Sequence, residues 1–130
     1  MDEFMQAAVE EARASLAEGG QPFGSVLVRG DQIIGAGRNR FVQTGDPTSH
    51  AEIEAIRAAG AQETYADTVM YATCLPCIMC AGAIVRMKIP KVLVGASPPT
   101  GNSQAFMRSH GVEVIELELE EAQQLLAEAR

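Results

Sequence analysis

Two short stretches of this sequence carry residue types that bind metal and move protons. His50-Ala51-Glu52 is the first, and Pro76-Cys77-Ile78-Met79-Cys80 is the second, with Cys77 27 positions after His50. A neutral imidazole and two thiolates are a donor set that suits zinc. Cys77 and Cys80 are spaced i, i+3, so on a helix both side chains point the same way. Near a helix N-terminus the macrodipole favours their thiolate forms. Three protein ligands leave one tetrahedral position open. An open position marks catalytic rather than structural zinc, because it lowers the pKa of a water bound there toward about 7. Glu52, two residues past the histidine, is placed to lie beside the metal without ligating it and to carry a proton. A bare CxxC is shared by redox motifs and structural zinc sites. HxE followed by PCxxC, each half opening a helix, is far more specific.

These residues must be positioned by regular elements, and the sequence predicts them in alternation. Residues 2–18 read as an amphipathic helix with Met5, Ala8, Val9, Ala12 and Leu16 on one face, ended by Gly19-Gly20. Phe23–Arg29 and Gln32–Ala36 are β-type runs around Gly30-Asp31, a hairpin signal. Residues 40–48 read as a loop. Ser49-His50-Ala51-Glu52 starts a second helix that runs to Ala59, and Ser49 with Glu52 fits the S-x-x-E capping box, a second use for that glutamate. Val69–Thr73 is a strand, and Pro76 opens a third helix in its first turn, where a missing N–H costs nothing. Lys91–Gly95 is a strand, 97–102 a Pro/Gly loop, 103–110 a short helix, Val112–Leu117 a strand and 119–130 an acidic helix. A hairpin followed by strands that helices separate predicts an α/β fold. Its form is a three-layer α/β/α sandwich on a mixed five-stranded sheet, one domain over 1–130.

Composition bounds the answer. The chain has 130 residues, 47% of them hydrophobic, enough to bury a core without staples and unlike a collagen or a disordered chain. No apolar run approaches a membrane span, and MDEFMQAAVEEAR has no signal-peptide core, so no membrane partner is expected. The three cysteines, Cys74, Cys77 and Cys80, cluster within seven residues, which argues for a reducing, cytoplasmic setting and for metal chemistry rather than disulfides. Ten Lys and Arg against seventeen Asp and Glu leave a net charge of −7, which repels a phosphate backbone; no nucleic-acid partner is expected. Cys74 reads as a small buried hydrophobe or a rival ligand. Asn39 reads as a turn residue or a substrate contact, and Phe23 as core or pocket wall. His110 before Gly111 reads as a helix end.

HxE with PCxxC is the signature of zinc-dependent base deaminases, and the chain resembles the cytidine deaminase superfamily. Within it, the chain is most similar to free-base cytosine deaminases of the yeast type, and next to guanine and tRNA adenosine deaminases. The resemblance runs through GGQPFGSVLV (19–28), Asn39 in GRNRF, HAEIEAI (50–56) and VMYATCLPCIMCAGAIVRMKIPKVLVG (69–95). It implies that His50, Cys77 and Cys80 hold one zinc and that Glu52 shuttles protons. It further implies that Asn39 bonds the ring edge, the Ala51 N–H a carbonyl and the Leu75 carbonyl the amine, with Phe23 as an apolar wall. The yeast-type enzymes close their pocket with an aromatic and an acid from a longer C-terminal helix. Here the tail, LEEAQQLLAEAR, offers Glu120, Glu121 and Glu128 and no aromatic.

The expectation is therefore a hydrolase that converts a small free base, cytosine to uracil, with release of ammonia, in pyrimidine salvage and as a homodimer. Alternatives are a guanine, aminopurine or triazine deaminase, a tRNA adenosine deaminase, and, from another class, a non-catalytic zinc-stabilised interaction domain. The last would want four protein ligands rather than three.

Overall fold

The structure, a computed structural model, describes residues Met1–Arg130. Asp2 caps helix α1 (Glu3–Ala17) by accepting the Phe4 N–H at 2.7 Å. Met5, Ala8, Val9, Ala12 and Ser15 form its buried face. The expected Leu16 is only half-buried. Ser15 takes the inner place because its hydroxyl has a buried acceptor, the Asn39 carbonyl, at 2.7 Å. Strands β1 (Gly24–Arg29) and β2 (Gln32–Arg38) form the expected hairpin, and Gly30 takes φ +62°, the sign required at the first central residue of a type II′ turn. The register slips between Leu27 and Val28, and β2 runs two residues past its predicted end at Ala36.

The predicted loop 40–48 holds a one-turn helix, α2 (Phe41–Thr44), closed by Gly45 at φ +77°. Helix α3 (Ala51–Ala59) follows, with His50 at its N-cap. The capping box is not formed: Ser49 Oγ bonds Glu54 Oε1 at 3.0 Å and leaves Glu52 free to turn inward. Strand β3 (Thr68–Cys74) leads into α4 (Ile78–Arg86), whose N-cap is Cys77. Pro76 thus precedes the helix instead of sitting in its first turn. Cys77 and Cys80 occupy the N-cap and N3 positions, which keeps their common direction. Strand β4 (Lys91–Ala96), helix α5 (Ser103–Ser109), strand β5 (Glu113–Glu116) and helix α6 (Glu120–Ala127) complete the chain. His110 ends α5, with Gly111 at φ +84°, as expected.

The sheet order is β2-β1-β3-β4-β5, with β1 antiparallel to both neighbours and β3, β4 and β5 parallel. This is the mixed five-stranded sheet of the expected α/β fold. Helices α1 and α6 lie on one face and α3, α4 and α5 on the other. Alternation along β1 sends Leu27 into a core with Met70, Ile84, Val92 and Met107, while Val26 and Val28 meet Met5 and Ala8 on the opposite face. Where α3 crosses the edge strand β2, Gly35 and Gly37 leave the strand's inner face bare beside Ile34, which packs into the core. A Cβ on Gly35 would fall 2.2 Å from the Ala55 carbonyl oxygen, and one on Gly37 would fall 2.5 Å from the Ala55 nitrogen and 2.6 Å from the Ala51 oxygen. Helix α3 therefore rides directly on the strand backbone, and this seat sets the depth of its first turn.

Candidate active site

The N-termini of α3 and α4 meet at the carboxyl end of β3, the side on which open α/β sheets place their ligand sites. His50 Nδ1 lies 3.5 Å from Cys77 Sγ and 3.6 Å from Cys80 Sγ, and all three ligand atoms fall within 4.8 Å of one another. Zn–N and Zn–S bonds of ordinary length, arranged tetrahedrally, give an N···S edge of about 3.6 Å. The donor set therefore fits one zinc with a position to spare. Cys74 stands outside this group, half-buried beside it, and burial, with the Glu52 charge, pushes its thiol up to about 12. It lines the cavity without joining the ligand group.

The two ligand thiols are not equivalent. Cys77 is exposed, and a hydrogen bond from Cys80, with N–H groups of the α4 N-terminus and the His50 ring adding to it, brings its thiol down to about 5 against the opposing effect of burial. Cys80 is fully buried; giving its proton to Cys77, burial and the nearby Glu52 all hold it well above the ordinary thiol range. Chelated protein at pH 7 is therefore expected to take up iodoacetamide first at Cys77, with Cys74 and Cys80 unmodified, and added zinc is expected to slow that reaction. Peptide mass spectrometry reads the order; Cys74 alkylated first would contradict this picture of the site.

Glu52 is 6% exposed, and its carboxyl group lines the cavity in front of the ligands. It forms no salt bridge. Burial pushes it up to about 7, with the Cys80 thiol opposing and the Cys77 charge reinforcing the rise. A carboxyl group poised there both takes and gives a proton near neutral pH.

The cavity, about 670 Å³, is of the size that holds small organic ligands and does not by itself select one ring over two. Phe23, Asn39, Ala51 and Leu75, all expected near substrate, line it. Asn39 is almost fully buried. Its N–H donates to the Phe23 carbonyl at 3.0 Å, and its Oδ1 accepts the Phe41 N–H at 3.0 Å. That second bond needs an acceptor, so the amide is oriented with Nδ2 free, and this group is neither paired within the protein nor sealed from the cavity. Asn39 thus makes the turn bond and also lines the cavity. The Ala51 N–H opens α3 and has no carbonyl one turn back to bond. Leu75 N–H is tied to the Ala96 carbonyl at 2.8 Å.

Sequence reasoning assigns substrate selection to 40–48, 97–103 and the tail, but singles out none of the residues of the outer wall. Gln21, Phe41, Ser103, Leu126 and Arg130 also line the cavity. Gln21 meets the Arg130 backbone in a reciprocal pair, donating to its carbonyl at 3.0 Å and accepting its N–H at 2.9 Å. Ser103 Oγ donates to the Pro76 carbonyl at 2.5 Å. Gln21, Ser103 and Arg130 have no local signal: each pairs with a partner far away in sequence. Of the tail, Leu126, Ala129 and Arg130 reach the cavity; Glu120, Glu121 and Glu128 do not, and Glu121 pairs with Arg13 at 2.5 Å. No helix is long and apolar enough to cross a membrane.

Comparison with known proteins follows the same lines. The family model for the cytidine and deoxycytidylate deaminase zinc-binding region matches residues 1–96. A cytosine deaminase of Candida albicans is 33% identical over 126 residues, 95% of this chain and 84% of that protein. A tRNA-specific adenosine deaminase of Streptococcus pyogenes is 42% identical over 97 residues, 72% of this chain, which spans only 61% of that protein's length. A structure solved in work on A-to-I editing by tRNA:A34 deaminases superposes with a TM-score of 0.86 at 32% identity, covering 95% of this chain and 99% of that one. The expectation that nucleic acid is no partner therefore meets relatives named for tRNA.

Proposed function

The chain belongs to the cytidine and deoxycytidylate deaminase family, and from that premise we propose that it hydrolyses the exocyclic amine of a small free nucleobase, cytosine first, giving uracil and ammonia. Zinc held by His50, Cys77 and Cys80 supplies the Lewis acid that makes water a nucleophile near neutral pH. Glu52 takes the proton of the attacking water on a carboxylate oxygen and delivers it to the ring nitrogen next to the amine. It then carries the second proton to the departing amine, so that water and base balance against carbonyl product and ammonia. Asn39 Nδ2 donates to an acceptor on the ring edge, the Ala51 N–H meets the substrate carbonyl, the Leu75 carbonyl accepts from the amine, and Phe23 walls the ring.

The observation that carries the free-base reading is the charge around the cavity. Of ten Lys and Arg, Arg130 alone lines it. Beside Asn39, Arg38 is already neutralised by Glu11 at 3.0 Å and Glu18 at 2.8 Å, which leaves exposed Arg40, with no salt bridge, as the one further cation near the mouth. Arg86 closes α4, some 12 Å along the helix from its ligand-bearing start. Too few free cations remain to release the counterions that binding a polyanion requires.

The tRNA adenosine deaminase reading is favoured by the 42% identity to the Streptococcus protein. One experiment divides the two: ammonia release from cytosine, guanine, adenine, cytidine and triazines, beside a tRNA anisotropy titration across a salt series with an assay for inosine. Ammonia from cytosine is expected, and tRNA affinity no tighter than the nonspecific range of roughly 10⁻⁴–10⁻⁶ M at physiological salt. Tighter, salt-steep binding with inosine formed moves the protein to the tRNA reading. Zinc bound with no ammonia from any substrate moves it to a binding module. We further propose, from the family resemblance, a cytoplasmic homodimer serving pyrimidine salvage.

A further inference from the structure

Gln43 lies on α2, outside the cavity lining, yet its amide is the hub of the wall that carries Asn39. Its Nε2 faces three oxygens: Ser15 Oγ at 3.0 Å, Glu18 Oε1 at 3.1 Å and the Asn39 carbonyl at 3.1 Å. Ser15 Oγ spends its own proton on that same Asn39 carbonyl, at 2.7 Å. The other end of the amide, Oε1, is buried and has no hydrogen-bond partner. Flipping the amide would not relieve it, since a carbonyl oxygen would then face three oxygens. A buried polar atom left unpaired costs stability that a residue of similar shape without it would recover. Buried Gly20 also closes on the amide, since a Cβ there would fall 2.4 Å from Gln43 Nε2.

We propose that Gln43 is a positioning residue for substrate recognition: with Ser15 it clamps the Asn39 carbonyl and holds α2 in place, so that the Phe41 N–H keeps the Asn39 amide turned with its donor into the cavity. The inference rests on the proposed contact between Asn39 and the ring. One turn of helix does not stand alone in water, and α2 has no side-chain cap of its own. Its side-chain ties to the body of the protein run through Gln43, to the end of α1 and to Asn39, beside one backbone bond from the Arg40 N–H at its N-cap to the Ser49 carbonyl at 2.8 Å. When that tie goes, the Phe41 N–H loses its fixed place against Asn39 Oδ1 and the amide is free to turn. Gln43 touches neither Glu52 nor the zinc ligands, so the effect falls on substrate capture and not on proton transfer.

The test is Gln43→Met, which keeps length and removes both the donors and the orphan carbonyl. In the zinc-loaded protein we expect one zinc per chain, a KM for cytosine raised by about tenfold, and a kcat within about threefold of the parent. Beside this, the ¹⁵N spectrum of the Asn39 side-chain amide, assigned through its loss in Asn39→Asp, is read without substrate. A sharp parent signal is expected to move toward the position of free asparagine in Gln43→Met. An unmoved signal, or a kcat loss at unchanged KM, overturns the proposal. Should Gln43→Met not fold, Ser15→Ala removes the other donor on the same carbonyl; its Asn39 signal is expected to move the same way, and an unmoved one overturns the proposal equally. If the parent deaminates none of the panel bases, the proposed function falls, while the spectrum alone still decides the role of Gln43.

Discussion

Glu52→Ala is expected to retain about one zinc per chain and to lose turnover by roughly 10²–10⁴-fold, the usual worth of a positioned general acid–base. The carboxyl group faces the cavity in front of His50, Cys77 and Cys80 and is not a member of the ligand group. Its removal therefore takes away the proton carrier and leaves the donor set whole. Because the side chain borders open cavity, truncation leaves no sealed void, and the melting temperature is expected to stay close to that of the parent. Metal content with steady-state ammonia release makes the measurement. Parent-like turnover at full zinc content would falsify the assigned role of Glu52.

Cys77→Ala and Cys80→Ala are each expected to drop zinc from about one per chain to near zero and to lower stability by several kcal/mol, since metal affinity is folding free energy wherever the site exists only in the folded chain. The metal ties the first turn of α3 to the first turn of α4, and those two helix starts otherwise make few contacts with one another. Cys80 is fully buried and Cys77 exposed, so the Cys80 variant loses packing in addition and is expected to melt lower. Cys74→Ala is expected to keep both zinc and turnover. Metal loss in Cys74→Ala equal to that in the other two would overturn the ligand assignment.

The ligand set is legible in the sequence because it is local. His50 with Glu52 and Cys77 with Cys80 each lie within one helical turn, and a helix start is written in the residues that form it. The mixed sheet follows from a short hairpin and from helices long enough to cross between parallel strands. What the sequence conceals depends on distant partners. Ser49 caps nothing because Glu54 offers its hydroxyl an acceptor. Residues 41–44 wind into a helix because Gln43 is anchored on Ser15 and Glu18, more than twenty residues back. The outer wall of the cavity comes from segments that meet only once the sheet is assembled, such as Gln21 with Arg130. No periodicity or turn residue announces such pairings.

The bare seat of α3 on Gly35 and Gly37 limits how this protein can be redesigned. Contacts between side chains can be renegotiated, one growing as its neighbour shrinks, but a contact between two main chains offers nothing to trade. Substitutions through the core of β3, β4 and α5 can be met by repacking around Ile56 and Ala59 of α3, whereas one methyl group added at Gly35 or Gly37 of β2 would lift the helix that carries His50 and Glu52, at a cost of about 1–3 kcal/mol. A library that seeks a new substrate should keep β2 constant and spend its diversity on 40–48, 97–103 and the last turn of the chain, where the cavity wall is made of parts that do not hold the metal.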